Sequence, residues 1–118
     1  MGVTLHAMIE TYHEKSEYRD EGWDYIVTEI QFWKDYELAC LISEYAIDHP
    51  EFETWPSDAS LSYEDRDERG IDQPAQWLTP ILFREITRQC ETQRPIYKAV
   101  DGFLSAFTTP VRILFWRD

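Results

Sequence analysis

The chain predicts an α+β domain: a three-stranded, mainly antiparallel sheet with helices on one face, its elements in the order β-β-α-α-α-β. Three observations predict it. Apolar residues alternate with period two near the N-terminus, two stretches opened by proline repeat apolar residues at helical spacing, and "VRILFWRD" closes the chain as a short, almost wholly apolar run. At 118 residues, with 43% hydrophobic and 15% aromatic content, the chain suits one folded domain over residues 1–118 with one modest core.

"VTLHAMIETYH" places Val3, Leu5, Ala7 and Ile9 on one face and Thr4, His6, Met8 and Glu10 on the other, the pattern of a half-buried strand. A polar stretch ending at Gly22 leads into "WDYIVTEIQF", rich in aromatic and β-branched residues. The two predict a hairpin with a long, charged loop. From Asp35, a helix N-cap candidate, the period changes. Leu38, Leu41, Ile42 and Tyr45 fall on one stripe and predict a helix over about residues 36 to 47.

Two prolines then break regular structure, and an irregular acidic loop is expected over about residues 48–75. Thr79-Pro80 is a helix start, because the threonine can cap and proline at the first helical position has no amide hydrogen to leave unpaired. The buried stripe of that helix is Leu82, Phe83, Ile86 and Cys90. Arg94-Pro95 repeats the signal without a good cap, ahead of Ile96, Ala99, Val100, Phe103, Leu104 and Phe107. The apolar final strand is expected inside the sheet, beside the first. Cys40 and Cys90 both sit on apolar helix faces and read as free, buried thiols, neither having a partner at metal-ligand spacing.

The formal charge is −12. It disfavours direct contact with nucleic acid or an anionic membrane, both of which need a basic face. Residues 1–72 hold 19 of the 23 acids and 5 of the 11 Lys and Arg, whereas residues 73–118 hold 4 acids and 6 cations. The excess negative charge therefore belongs to the first three-fifths of the chain. Without a basic, apolar N-terminal segment or an 18-residue apolar run, the sequence points to a cytoplasmic protein.

Two blocks together resemble a family of small bacteriophage and bacterial proteins. In that family a strand of the type "hDhHhYIE" is followed by a tryptophan and an "RNY-x-LF-x-hLA" helix, and an acidic stretch later leads into "SWLT" and another helix. The matching positions are Leu5, His6, Ile9, Glu10, Trp23, Tyr36, Leu38, Trp77, Leu78 and Thr79. The resemblance implies a phage origin and no particular reaction. Members carry histidines just before "SWLT", where this chain has "DQPAQ", so a role built on those histidines does not transfer.

No complete catalytic signature occurs, so no catalytic residue, metal ligand or cofactor is assigned. A calcium loop read from Asp65 has acids at positions one and three and Gly70 at six. It puts Arg69 at five, where an oxygen donor is needed, and Gln76 at twelve, where a bidentate glutamate is needed, so it reads as a mixed-charge loop. A histidine on the polar face of a strand is more often structural than catalytic, and extended geometry separates His6 from Glu10 along it. Trp55 and Phe52, in an acidic segment punctuated by proline, are where an exposed aromatic anchor is expected. An acidic surface is most often only a solvated one.

The expectation that results is an acidic, phage-type protein that binds and inhibits a host protein with a basic surface, in a nucleic-acid-handling or anti-phage defence complex, by imitating nucleic acid. Its partner-binding residues are Glu51, Glu53, Trp55, Asp58, Tyr63, Glu64, Asp65, Asp67, Glu68 and Asp72. One alternative is a small-molecule-binding protein or minor enzyme with a cleft near His6, Glu10 and Trp77. A second is a phage structural or assembly component. The sequence leaves the oligomeric state open.

Overall fold

The structure, a computed structural model, describes residues 4–60 and 76–117. Strands β1 (Leu5–His13) and β2 (Gly22–Phe32) form the expected antiparallel hairpin across the charged loop at 14–21. Lys34, with φ of 48°, turns the chain from β2 into helix α1 (Tyr36–Asp48). A 3-10 turn at Pro50–Phe52 follows, then β3 (Gln76–Leu78), α2 (Pro80–Arg88), α3 (Pro95–Ser105) and β4 (Val111–Arg117).

Among the described residues the sheet has four strands, not three, in the order β2-β1-β4-β3 with every neighbour antiparallel. The additional strand is β3. Its three residues are too few to show a period, and it exists because Gln76, Trp77 and Leu78 pair with Phe115, Leu114 and Ile113 of β4. The final strand lies beside the first, as its apolar run predicts. Two register shifts between Ala7 and Glu10 leave extra residues on β2, bulges of the kind that disfavour pairing at an exposed sheet edge.

The three helices among the described residues cover one face. There Leu5, Ala7, Ile9, Ile113 and Phe115 pack with Leu38, Ile42, Phe83, Ile86, Val100 and Leu104, and Phe32 contacts the rings of Phe83, Tyr97 and Phe115 at 6.1–6.2 Å. The opposite face is not wet, which corrects the half-buried reading of the first strand. Met8 and Leu114 are fully buried there and Trp116 nearly so, under Trp55, Ala59 and Trp77. The segment around 50–60 thus forms a lid whose regular structure is the single 3-10 turn.

Two further expectations change. Cys40 is exposed and only Cys90 is buried, because α1 turns Leu38, Ala39, Ile42 and Ala46 inward and carries residue 40 outward. In α3 the inward stripe is Tyr97, Val100 and Leu104, while Ala99 and Phe103 face solvent. Both caps form as expected. Asp35 accepts from the Leu38 amide at 3.1 Å and Thr79 from the Leu82 amide at 3.3 Å, whereas Arg94 supplies no side-chain cap.

The other oxygen of Asp35 accepts the Tyr97 hydroxyl, so the same carboxylate also joins α1 to α3 in the core. Replacing Asp35 by Ala removes a cap, worth about 1 kcal/mol, and strands a buried hydroxyl, worth a further ~1–3 kcal/mol. Urea unfolding should therefore place Asp35→Ala well below Thr79→Ala, which loses the cap alone.

Burial pushes the Tyr97 phenol and the Cys90 thiol above their ordinary values of 10.0 and 9.0, and the bond to Asp35 raises Tyr97 further. Both hold their protons more tightly folded than unfolded. Stability is full below the unfolded pKa values and falls as pH rises beyond them, steepening towards about 1.4 kcal/mol per pH unit for each group. Urea midpoints measured through this alkaline range should fall, and more shallowly in Tyr97→Phe.

Candidate functional site

Glu10 on β1 and Arg112 on β4 are direct partners across the two central strands, both on the face away from the helices. Glu10 is fully buried and Arg112 is 5% exposed. Arg112 Nε donates to Glu10 Oε1 at 2.7 Å, and its Nη1 donates to Asp58 Oδ1 at 3.1 Å. The guanidinium lies 3.9 Å over the Trp23 ring, whose Nε1 donates to the other oxygen of Asp58 at 3.1 Å. The second Glu10 oxygen accepts both the backbone amide of Ser60, at 2.5 Å, and its hydroxyl.

Removing a charge pair from water costs several kcal/mol per ion unless geometry and hydrogen bonds compensate. Compensation here comes from two strands, the lid and an aromatic face. The product is mechanical: Asp58 and Ser60 fasten the lid to the sheet, and Trp77 adds a bond from its indole to the Glu51 carbonyl at 2.9 Å. Arg112 Nη2 and Gln76 Oε1, also buried, have no hydrogen-bond partner among the described residues.

His6 and Glu10 share this face but serve different partners. His6 stacks on Trp116 at 5.5 Å and its Nδ1 lies 2.7 Å from Glu29 Oε1. Both Glu10 oxygens are engaged, and the Thr79 hydroxyl serves as a cap. No acid-base pairing of His6 with Glu10 is therefore assembled. His13 belongs to the hairpin end, where its ring meets Arg19 and Asp24.

Four of the expected partner-binding residues are described. Glu51 is exposed, Glu53 is half-buried and accepts from the Gln76 side chain at 3.4 Å, and both oxygens of Asp58 are engaged within the chain. Trp55 is half-buried, edge-on to Trp116 at 6.4 Å, and Phe52 packs on Trp77 at 4.6 Å. These aromatics are lid-to-sheet contacts, not free-standing anchors. Tyr63, Glu64, Asp65, Asp67, Glu68 and Asp72 lie outside the described residues, as does most of the calcium-like stretch.

Sequence reasoning missed a second stripe on α1. Tyr36, Cys40, Ser43 and Ile47, at i, i+4, i+7 and i+11, run along a flank of the helix beside its core face. With Ala39, Glu44 and Arg117 they line a groove of about 350 Å³. Tyr36 is 48% and Ile47 74% exposed, and the neighbouring Glu44 and Asp48 are solvent-exposed acids. Arg117 reaches under the helix to the Ala39 carbonyl at 2.9 Å and to the Ser43 hydroxyl. The signal was present in the sequence, but the more strongly apolar Leu38–Ile42 stripe masked it.

Arg112→Met should cost about 3–5 kcal/mol by leaving Glu10 charged and buried. The double variant Glu10→Leu/Arg112→Met should cost far less than the two single changes together. Urea unfolding of the four proteins gives the coupling. A loss under ~1 kcal/mol in Arg112→Met would show that the pair does not hold the lid.

No family model, curated protein or solved structure matches the chain.

Proposed function

We propose that this is an acidic protein-binding module of phage type. It docks on a basic surface of a host protein and inhibits a nucleic-acid-handling or defence complex. The observation that carries this reading is the outward stripe of α1, with Tyr36, Cys40 and Ile47 exposed along a groove beside Glu44 and Asp48. Apolar groups flanked by charge suit a partner that offers apolar side chains among Lys and Arg. The apolar centre would supply affinity and the acids would supply steering.

The surface charge supports the same reading. Glu14, Glu17, Asp20 and Glu21 are exposed in the hairpin loop, Glu29 on the outer strand and Glu51 in the lid. The acids of residues 64–72 add to the total of −12. Trp33, 63% exposed just before α1, extends the apolar surface. The resemblance to small phage proteins suggests the setting, in which occupying the basic groove of a nucleic-acid-binding protein is inhibitory in itself. A cleft enzyme using His6 and Glu10 gains no support from a carboxylate with both oxygens engaged.

Ile47→Glu with Tyr36→Ala should weaken binding to a captured basic protein at least tenfold, about 1.4 kcal/mol. Ile47→Glu alone should hardly move the urea midpoint, since that side chain is 74% exposed. Affinity should also fall as salt rises. Capture of no basic protein from bacterial lysate at low salt would sink the reading. So would an affinity unchanged by the double variant and by charge reversal at Glu44, Asp48 and residues 64–68.

A further inference from the structure

The six cations of residues 73–118 are not spread evenly over the molecule: Arg84, Arg88, Arg94 and Lys98 line one cavity of about 320 Å³ between α2 and α3. Asp101 is the one acid in that lining, so its side chains sum to +3 in a chain of −12, and to +2 once Asp35 beside Arg94 is counted. Repulsion from the rest of the surface is screened beyond ~8 Å at physiological salt, so an anion inside the cavity responds mainly to these local cations.

The cations divide into two kinds. Arg84 is held by Asp101, its Nε lying 3.0 and 3.2 Å from the two carboxylate oxygens, and by the Ser105 hydroxyl at 2.8 Å from Nη2. Arg94 donates from Nη1 to the Trp33 carbonyl at 2.7 Å, with Asp35 3.6 Å from its Nε. Each keeps a guanidinium nitrogen uncommitted by these bonds, in a fixed position. Arg88 and Lys98 are exposed and have no partner among the described residues.

Neutral donors around the cavity are already committed. The Thr87 hydroxyl donates to the Phe83 carbonyl, the Gln93 amide to the carbonyls of Thr87 and Cys90, and the Tyr97 hydroxyl to Asp35. What remains for a ligand is cationic, so the cavity selects by charge before shape. We propose that it binds a phosphate-bearing small molecule with at least two negative charges. The remaining nitrogens of Arg84 and Arg94, the Arg88 guanidinium and the Lys98 ammonium match the several oxygens of a phosphate or diphosphate, and one carboxylate cannot engage them all. The uncapped first turn of α3, at Arg94–Pro95, reinforces the same preference.

Isothermal titration of the full chain with sodium pyrophosphate, inorganic phosphate and acetate at constant ionic strength tests the proposal. Pyrophosphate should bind one to one with Kd below about 1 mM, phosphate more weakly, and acetate at least tenfold more weakly than pyrophosphate. Arg88→Ala/Lys98→Ala should lose at least tenfold while keeping the wild-type urea midpoint; should that protein not fold, Lys98→Glu alone must show the loss. Absence of pyrophosphate binding, unchanged binding in the variant, acetate binding as tight as pyrophosphate, or binding of a single-stranded oligonucleotide without pyrophosphate overturns it.

Discussion

A buried ion pair between the two central strands is the constraint on which the second half of this structure depends. Glu10 and Arg112, 102 residues apart in sequence and direct partners in the sheet, put opposite charges on a face that is otherwise core. Such a pair rarely stabilises a protein by itself, because desolvation offsets the attraction. Its effect is specificity. A one-residue slip of β4 against β1 would leave both charges buried without partners, so the pair penalises that register. It also requires the lid, because Asp58, Ser60 and Trp23 supply the bonds that make burial tolerable.

That dependence explains what was legible in the sequence. Local signals were informative where a local rule decides the outcome: Asp35 and Thr79 as caps, Pro80 and Pro95 as helix openings, and the apolar run of β4 as an interior strand. The failures share a different cause. Alternation in β1 marked His6, Met8 and Glu10 as a polar face, yet whether a glutamate faces water is settled by the arginine opposite it, and no local pattern reveals that. The same holds for β3, whose three residues become a strand only by pairing with β4, and for Trp55, whose surroundings depend on Trp116.

At the candidate surfaces, composition was legible and placement was not. The acidic excess was plain, but not that Asp58, although exposed, is hydrogen-bonded within the chain, nor that α1 carries an outward stripe beside its core stripe. The charge asymmetry between the two parts of the chain was also visible. Folding sharpens it, gathering four of six cations between α2 and α3 while the acidic hairpin loop and Glu51 of the lid remain exposed. The molecule thus carries surfaces of opposite character on one scaffold, and neither needs the buried pair to change.

Arg112 is locked into a dry, bonded position that holds the lid on the sheet. Its own Nε–H tests this most directly, by nitrogen-edited NMR of the native protein near neutral pH. A resolved Nε–H signal for Arg112, protected from exchange with solvent to a degree near that of the β4 amides, is the predicted result. An Arg112 Nε–H that exchanges as fast as that of the exposed Arg88 would contradict it.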